Sequence, residues 1–189
     1  MTRNEFEGFL PNSLGNLSVK LHKLSVSENK MRGSIPVVIG NLSSLVSLYL
    51  RANQLTRAIP SVLGRLEILD LGFDSLNDHI QYEVCQLRNL IQVDLSNNRF
   101  SGPIPYALGN LTRLQHLSLG NNTLSSSIPE NLFNLTSLVS LILAFNFLDS
   151  IPVGALGDMK PLKLLGSIKY SVLRQHVKCF WSASNVFLP

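Results

Sequence analysis

One pattern constrains this chain more than any other. The motif L-x-x-L-x-L-x-x-N-x-L recurs from Leu21, Leu45, Leu66, Leu90, Leu114 and Leu138, at spacings of 24, 21, 24, 24 and 24 residues. A unit this short cannot bury its own apolar face, so it must stack on its neighbours, and the architecture is a repeat array. Within each unit an L-x-L triplet, such as Leu48-Tyr49-Leu50 or Leu117-Ser118-Leu119, has the period of two that marks a strand. Its leucines point inward and the residue between them points out. Stacking in register makes the leucines one ladder and sets the strands parallel, near 46–50, 67–71, 91–95, 115–119 and 139–143.

The asparagine that follows each strand marks a corner: Asn29, Asn53, Asn98, Asn122 and Asn146. A buried amide has donors and an acceptor, and can satisfy backbone groups of adjacent turns that a bare corner leaves unpaired. Asp74 takes this place in the third copy. It keeps an acceptor and loses the amide donors, which predicts a weaker corner. After each corner comes an Ile-Pro step, as in Gly33-Ser34-Ile35-Pro36 and Gly102-Pro103-Ile104-Pro105, with Phe9-Leu10-Pro11 an earlier, incomplete version. Proline fixes φ and cannot donate, so it suits an extended segment or an edge. Leu-Gly-Asn-Leu then follows, as at Leu14–Leu17 and Leu108–Leu111, and predicts helical turns too short to stand alone on the outer side.

The G-x-I-P…L-G-N-L version of the repeat resembles the plant-specific leucine-rich repeat of receptor-like kinases, receptor-like proteins and secreted polygalacturonase inhibitors, over roughly residues 4–165. The resemblance implies an α/β fold: a right-handed solenoid with a concave parallel sheet, short helical turns on the convex side, and a second sheet contributed on one flank by the Ile-Pro segment. It implies recognition of a protein or peptide ligand, with a co-receptor ectodomain as a further partner, at the cell surface, in signalling or defence. The alternatives are a secreted cell-wall-hydrolase inhibitor of the polygalacturonase-inhibitor type, or a non-functional gene fragment.

Departures from the pattern are local. The second repeat lacks three residues between Ile59 and Leu66, on the convex side, which predicts a pinch without a break in strand register. Gln81 stands where proline is usual and is expected to soften the flank strand there. At the start, Asn4–Gly8 match the corner of a copy whose strand is absent. Beyond Leu162-Lys163-Leu164-Leu165 the pattern decays, with Ser167 in a leucine position and Tyr170 in the asparagine position. The domain expectation is therefore a solenoid over 1–165, with a partial first repeat at 1–20, six copies from 21 and a decaying seventh from 162. A basic, non-repeating tail would occupy 166–189. The capping segments with paired cysteines that the resemblance implies are missing at both ends, so the chain reads as an internal ectodomain piece.

Composition narrows the function classes. The net charge of +4 comes wholly from the tail, where Lys160, Lys163, Lys169, Arg174 and Lys178 face only Asp158; residues 1–157 are balanced, and nucleic acid is not indicated. Cys85 and Cys179 form no CxxC pair, so neither a metal site nor a disulfide framework is expected, and Cys85 reads as buried filler. The first residues lack the apolar stretch of a secretory signal, and no run of about 18 apolar residues exists to span a bilayer. Kinase signatures are missing, and no cofactor or catalysis is expected.

The candidate ligand face is the outward strand residues: Lys23, Glu28, Tyr49, Arg51, Ile68, Asp70, Phe73, Gln92, Asp94, His116, Ser118, Ile142 and Phe145, with Ser27 and Ser96 also placed on this open face. Aromatic and branched residues beside charge resemble binding hot spots and exceed what mere solvation requires. Ser118, His116 and Asp94 fall in one patch, yet Asp94 is placed beside Ser118 rather than behind the imidazole, where a triad needs its acid. Five N-x-S/T sequons, at Asn16, Asn41, Asn110, Asn121 and Asn134, are candidate glycosylation sites, four of them in the convex L-N-L-S/T position that the repeat itself creates.

Overall fold

The structure, a computed structural model, describes residues 4–150, 152 and 165–166. In chain order its strands are β1 (Glu7–Phe9), β2 (Lys23–Ser25), β3 (Lys30–Gly33), β4 (Ser47–Tyr49), β5 (Gln54–Arg57), β6 (Ile68–Asp70), β7 (Ser75–His79), β8 (Gln92–Asp94), β9 (Arg99–Pro103), β10 (His116–Ser118), β11 (Thr123–Ser126), β12 (Ser140–Ile142), β13 (Phe147–Leu148) and β14 (Leu165–Gly166). They form two parallel sheets of seven strands each. The even-numbered strands, from the L-x-L triplets, make the concave sheet; the odd-numbered ones make a flank sheet. All five strand segments expected from the repeat are present, and β14 adds the seventh copy by pairing with β12. The remainder of the expected tail lies outside the described residues.

Register follows the repeat. Leu48 pairs with Leu69, Leu69 with Val93, Val93 with Leu117 and Leu117 with Leu141, so the inward side chains form one column. Leu48, Leu69 and Leu141 are fully enclosed, as are Leu50, Leu71 and Leu119 one layer on, and Phe100 enters from the flank side. Each such burial is worth roughly 1.5–3 kcal/mol relative to exposure, which is what holds coils too short to fold alone.

The flank sheet is built by the residues between the corner asparagine and the Ile-Pro step, not by the step itself. Ile35, Ile59, Ile104 and Ile128 turn into the core. Prolines, and Gln81 in one case, lead into the convex turns, five-residue 3-10 helices that we call η1 (Asn12–Asn16), η2 (Val37–Asn41), η3 (Tyr82–Gln86), η4 (Tyr106–Asn110) and η5 (Glu130–Asn134). Pro36 sits at φ −74° and ψ 137°, and Gln81 holds nearly the same backbone at φ −74° and ψ 148°. The softened flank strand expected at Gln81 is therefore corrected: β7 has five residues, as long as β9. Gln81 lies after the strand, so losing proline there costs β7 no hydrogen bond. The short second repeat does behave as a pinch. No 3-10 helix forms between β5 and β6, while Ser47 still pairs with Ile68 and Thr56 with Ser75. η1 stacks on η2, and η3, η4 and η5 stack in turn, but η2 and η3 do not meet.

Corner asparagines join the coils. Asn122 Oδ1 accepts from Phe100 N–H at 3.0 Å in the preceding coil, while its Nδ2 donates to Leu95 O at 3.0 Å and to Leu119 O at 3.0 Å in its own turn. Asn53, Asn98 and Asn146 repeat this set. Asn29 accepts from Phe6 N–H and donates to Val26 O and Ser27 O. Asn98 is half-buried, less enclosed than the 6% exposure of Asn122 or Asn146. At Asp74 the acceptor half survives, with Leu55 N–H donating to Oδ1 at 2.8 Å; Oδ2 is buried without a partner.

Replacing Asn98 by leucine keeps the bulk and removes the amide, orphaning Leu76 N–H and Leu71 O. Each buried orphan costs about 1–3 kcal/mol, so Asn98→Leu is expected to melt well below wild type. The exposed Gln115→Ala is expected to move stability by less than about 0.5 kcal/mol. Paired denaturant melts decide it, and equal midpoints would contradict the ladder.

Candidate ligand-binding face

Strand register arranges the outward side chains in rows across the concave sheet. One row runs Lys23, Ser47, Ile68, Gln92, His116, Ser140; the next runs Ser25, Tyr49, Asp70, Asp94, Ser118, Ile142. A third, one layer further, holds Ser27, Arg51, Gly72, Ser96, Gly120 and Ala144. The structure corrects the placement of Ser27 and Ser96 on open surface. Both are only 7% exposed, and Ser96 Oγ accepts from Asn97 Nδ2 at 3.1 Å. Small residues dominate this row because the chain turns into the corner there.

The fourth row is the rim, and every coil gives it the same backbone. Glu28, Ala52, Phe73, Asn97, Asn121 and Phe145 all lie in the left-handed region, with φ between 53° and 59°. From Glu28 to Asn121 the twist aims these N–H groups at the next coil: Glu28 N–H donates to Arg51 O, Ala52 to Gly72 O, Phe73 to Ser96 O, Asn97 to Gly120 O and Asn121 to Ala144 O. Asparagine tolerates this conformation; a bulky residue adopts it at a cost of roughly 1–2 kcal/mol. Phe73 and Phe145 bear that cost while 47% and 79% exposed, so core burial does not explain them.

Arg51 organises the middle of the face. Its guanidinium lies 4.2 Å from the centre of the Phe73 ring and its Nη1 is 3.3 Å from Asp94 Oδ2. The bond connects the residue two past β4 to the end of β8 and passes over Gly72, two residues past β6. A Cβ at Gly72 would sit 3.2 Å from both Arg51 Nη1 and Asp94 Oδ2, tight enough to press on the pair, and the glycine leaves it clear. The sequence reading named both charges and missed Gly72; the signal lay in the column of small residues in which only Arg51 is large. Asp94 Oδ1 also accepts from Ser96 N–H at 2.8 Å. Asp70 lies beside Asp94 in its row, and burial, then the neighbouring Asp94 charge, push its carboxyl above the usual range against a hydrogen bond from Gly72 N–H. Lys23 Nζ sits 4.8 Å over the Tyr49 ring.

Beyond Asp94 the face holds a depression of about 300 Å³ lined by Gln92, Val93, Asp94, His116, Leu117, Ser118, Ser140 and Ile142. Ser118 is registered beside Asp94 and His116 beside Gln92, so the carboxylate engages Arg51 and the Ser96 amide. Cys85 is 2% exposed, and burial pushes its thiol up to about 11. Among the described residues, no group of three metal-ligating side chains occurs and no helix is long and apolar enough to cross a membrane. The sequon asparagines are all exposed. Asn16, Asn41, Asn110 and Asn134 each close a convex 3-10 helix, while Asn121 stands on the concave rim and donates to Asn97 Oδ1 at 2.8 Å.

Two parallel sheets, a leucine column and corners tied by asparagine in all repeats but the third define a leucine-rich-repeat solenoid. Family comparison agrees: residues 20–42, 44–66, 89–111 and 113–135 match the Leucine Rich Repeat profile. The chain is similar to the receptor kinase-like protein Xa21 of Oryza sativa subsp. japonica, 53% identical over 47 residues, which are 25% of this chain and 4% of that protein. Its fold is similar to the leucine-rich-repeat ectodomain of the receptor kinase SOBIR1 from Arabidopsis thaliana, with TM-score 0.62 and 35% identity over 66% of this chain and 70% of that one. It is also similar to the Arabidopsis receptor kinase HAESA, solved with the peptide hormone IDA and the co-receptor SERK1. That match has TM-score 0.76 and 30% identity over 79% of this chain and 26% of that one. The chain belongs to the plant leucine-rich-repeat receptor-like family, and it spans a small part of the length of Xa21 and of HAESA.

Left-handed strain at the rim has a measurable sign. Phe145→Asn places a tolerant residue at φ 58° and removes an exposed ring, so stability is expected to rise, by up to about 1 kcal/mol. A denaturant midpoint at or below wild type would show that the ring contributes packing that its exposure hides.

Proposed function

We propose that this chain is a ligand-recognition segment of a receptor-like protein and binds a protein or peptide through the concave sheet, without catalysis. The single observation that carries this is the pair of exposed phenylalanines, Phe73 and Phe145, kept in left-handed backbone where asparagine suits the same position in neighbouring coils. Strain retained without core burial is characteristic of functional positions. Between them, Arg51, Asp70, Asp94, Ser118 and His116 supply charge and hydrogen bonds, and Tyr49, Ile68 and Ile142 supply half-buried apolar surface. Lys23, Glu28 and Gln92 extend the polar rim of this face. The titles of related structures, with peptide hormone and co-receptor bound to HAESA, support a peptide ligand and a second ectodomain as partners. The same relationships support a place outside the cell. The recognition unit is taken as residues 1–165, with 166–189 outside it; the unbroken strand register from β2 to β12 supports one continuous unit over the repeats.

The test is selection of a random 12-residue peptide library on the wild-type chain, with the doubly substituted Phe73→Gly, Phe145→Asn protein as comparison. Both changes favour the observed backbone, so the fold is retained. Peptides enriched on wild type are expected to lose at least tenfold in affinity on the variant. Enrichment that is equal on both proteins, or none on wild type, would refute recognition through this face.

Glycans belong on the side away from that face. The reading expects occupancy at Asn16, Asn41, Asn110 and Asn134 after secretion, and an unmodified Asn121. Enzymatic deglycosylation in heavy-oxygen water followed by peptide mapping reads this directly. A glycan on Asn121 in peptide-binding protein would contradict the reading, since it would stand on the recognition rim.

A further inference from the structure

The corner ladder contains one titratable member. Five corners use asparagine; in Asn53, Asn98, Asn122 and Asn146 the Nδ2 donates to a carbonyl of the preceding coil and to one of its own turn, and in Asn29 to two of its own turn. In the third repeat the same position is Asp74. Its Oδ1 performs the acceptor task with Leu55 N–H, and its Oδ2 is one of two buried side-chain polar atoms without a partner among the described residues; the other belongs to the uncharged Asn131. In the coils on either side, Asn53 and Asn98 use the equivalent Nδ2 to donate to two carbonyl oxygens, and an ionised Oδ2 in that place has no proton to give. A protonated one is a hydroxyl, and can donate as the amides do. Asp74 also sits where the stack is otherwise thinnest, beside the coil that lacks its 3-10 helix, where η2 and η3 do not meet.

We propose that Asp74 is a proton-controlled joint: protonated, it completes the ladder and locks the second coil to the third; ionised, it leaves them loosely tied and disorders the adjoining Arg51–Phe73 part of the concave face. The effect on the coils stands alone, whereas its meaning for ligand binding rests on the recognition reading above. Burial first, then the charge of Asp70, raises the Asp74 carboxyl to about 7 against hydrogen bonds from Leu55 and Asn53. The other charged groups on the flanking elements are Arg51 and Asp94 on the concave side and Arg57, Asp78, His79 and Arg99 on the flank sheet. The folded state therefore holds a proton that the unfolded chain releases near 3.8. The stabilisation is full below that value, is lost as pH rises through about 7, and is gone above it.

The experiment compares the full chain with Asp74→Asn in thermal melts from pH 4.5 to 8, subtracting the two curves so that His22, His79 and His116 cancel. The variant's Tm advantage is expected to be smallest at pH 4.5 and to grow to about 4 °C or more by pH 7.5. Hydrogen exchange localises it: residues 51–57 and 70–76 are expected to exchange faster in wild type than in Asp74→Asn at pH 7.5, and alike at pH 5. Parallel melting curves, or exchange differences that do not change with pH, would overturn the proposal. A working joint in a chain that captures no peptide would sink the recognition reading alone. Peptide capture with a pH-independent difference would sink the joint alone.

Discussion

The structure depends on one corner side chain per coil, an amide in every repeat but the third. Parallel strands of three residues are too short to hold a stack by their ladders, and the leucine column is non-directional. It favours contact between coils without fixing how they turn. The corner asparagine supplies direction. By accepting from one coil and donating to carbonyls of that coil and its own turn, Asn122 or Asn146 fixes where the concave strand ends and where the flank strand begins. The left-handed residue just before it is a consequence, since the chain must twist there to bring the amide inward. Rim geometry, and with it any side chain presented to a ligand, is thus set by an interaction buried one residue away.

Much of this was readable in the letters. The period of two within L-x-L and the recurrence of 24 place the strands, the pairing and the core, because hydrophobic periodicity and stacking leave few alternatives. The three-residue deletion before Leu66 was placed correctly on the convex side because no strand position is lost. The rest depended on backbone geometry that no letter carries. Gln81 reads as a missing proline on the flank strand, yet it is the residue that caps η3, where a φ near −74° is open to any residue. Ser96 looked exposed because it alternates with inward leucines, but the turn into the corner covers it.

On the face itself, the sequence identified Arg51, Asp94 and the two phenylalanines as outward without revealing what joins them. A salt bridge that skips a strand needs a gap above that strand, and Gly72 provides it. Residue type alone cannot show that Phe73 and Phe145 share a strained conformation, since Glu28, Ala52 and Asn97 occupy the same backbone with no common chemistry.

That last fact has a geometric consequence. Each coil presents one rim side chain, and coils repeat at about 4.8 Å, whereas an extended peptide advances about 3.3 Å per residue. The two rulers do not match step for step; they come back into phase near two coils and three residues. Phe73 and Phe145 are three coils apart, about 14 Å, close to the span of four peptide residues, and residues four apart in a strand point to the same side. A peptide laid across the sheet could therefore engage both rings with side chains of one face. It would turn its alternate face outward, toward whatever closes over it.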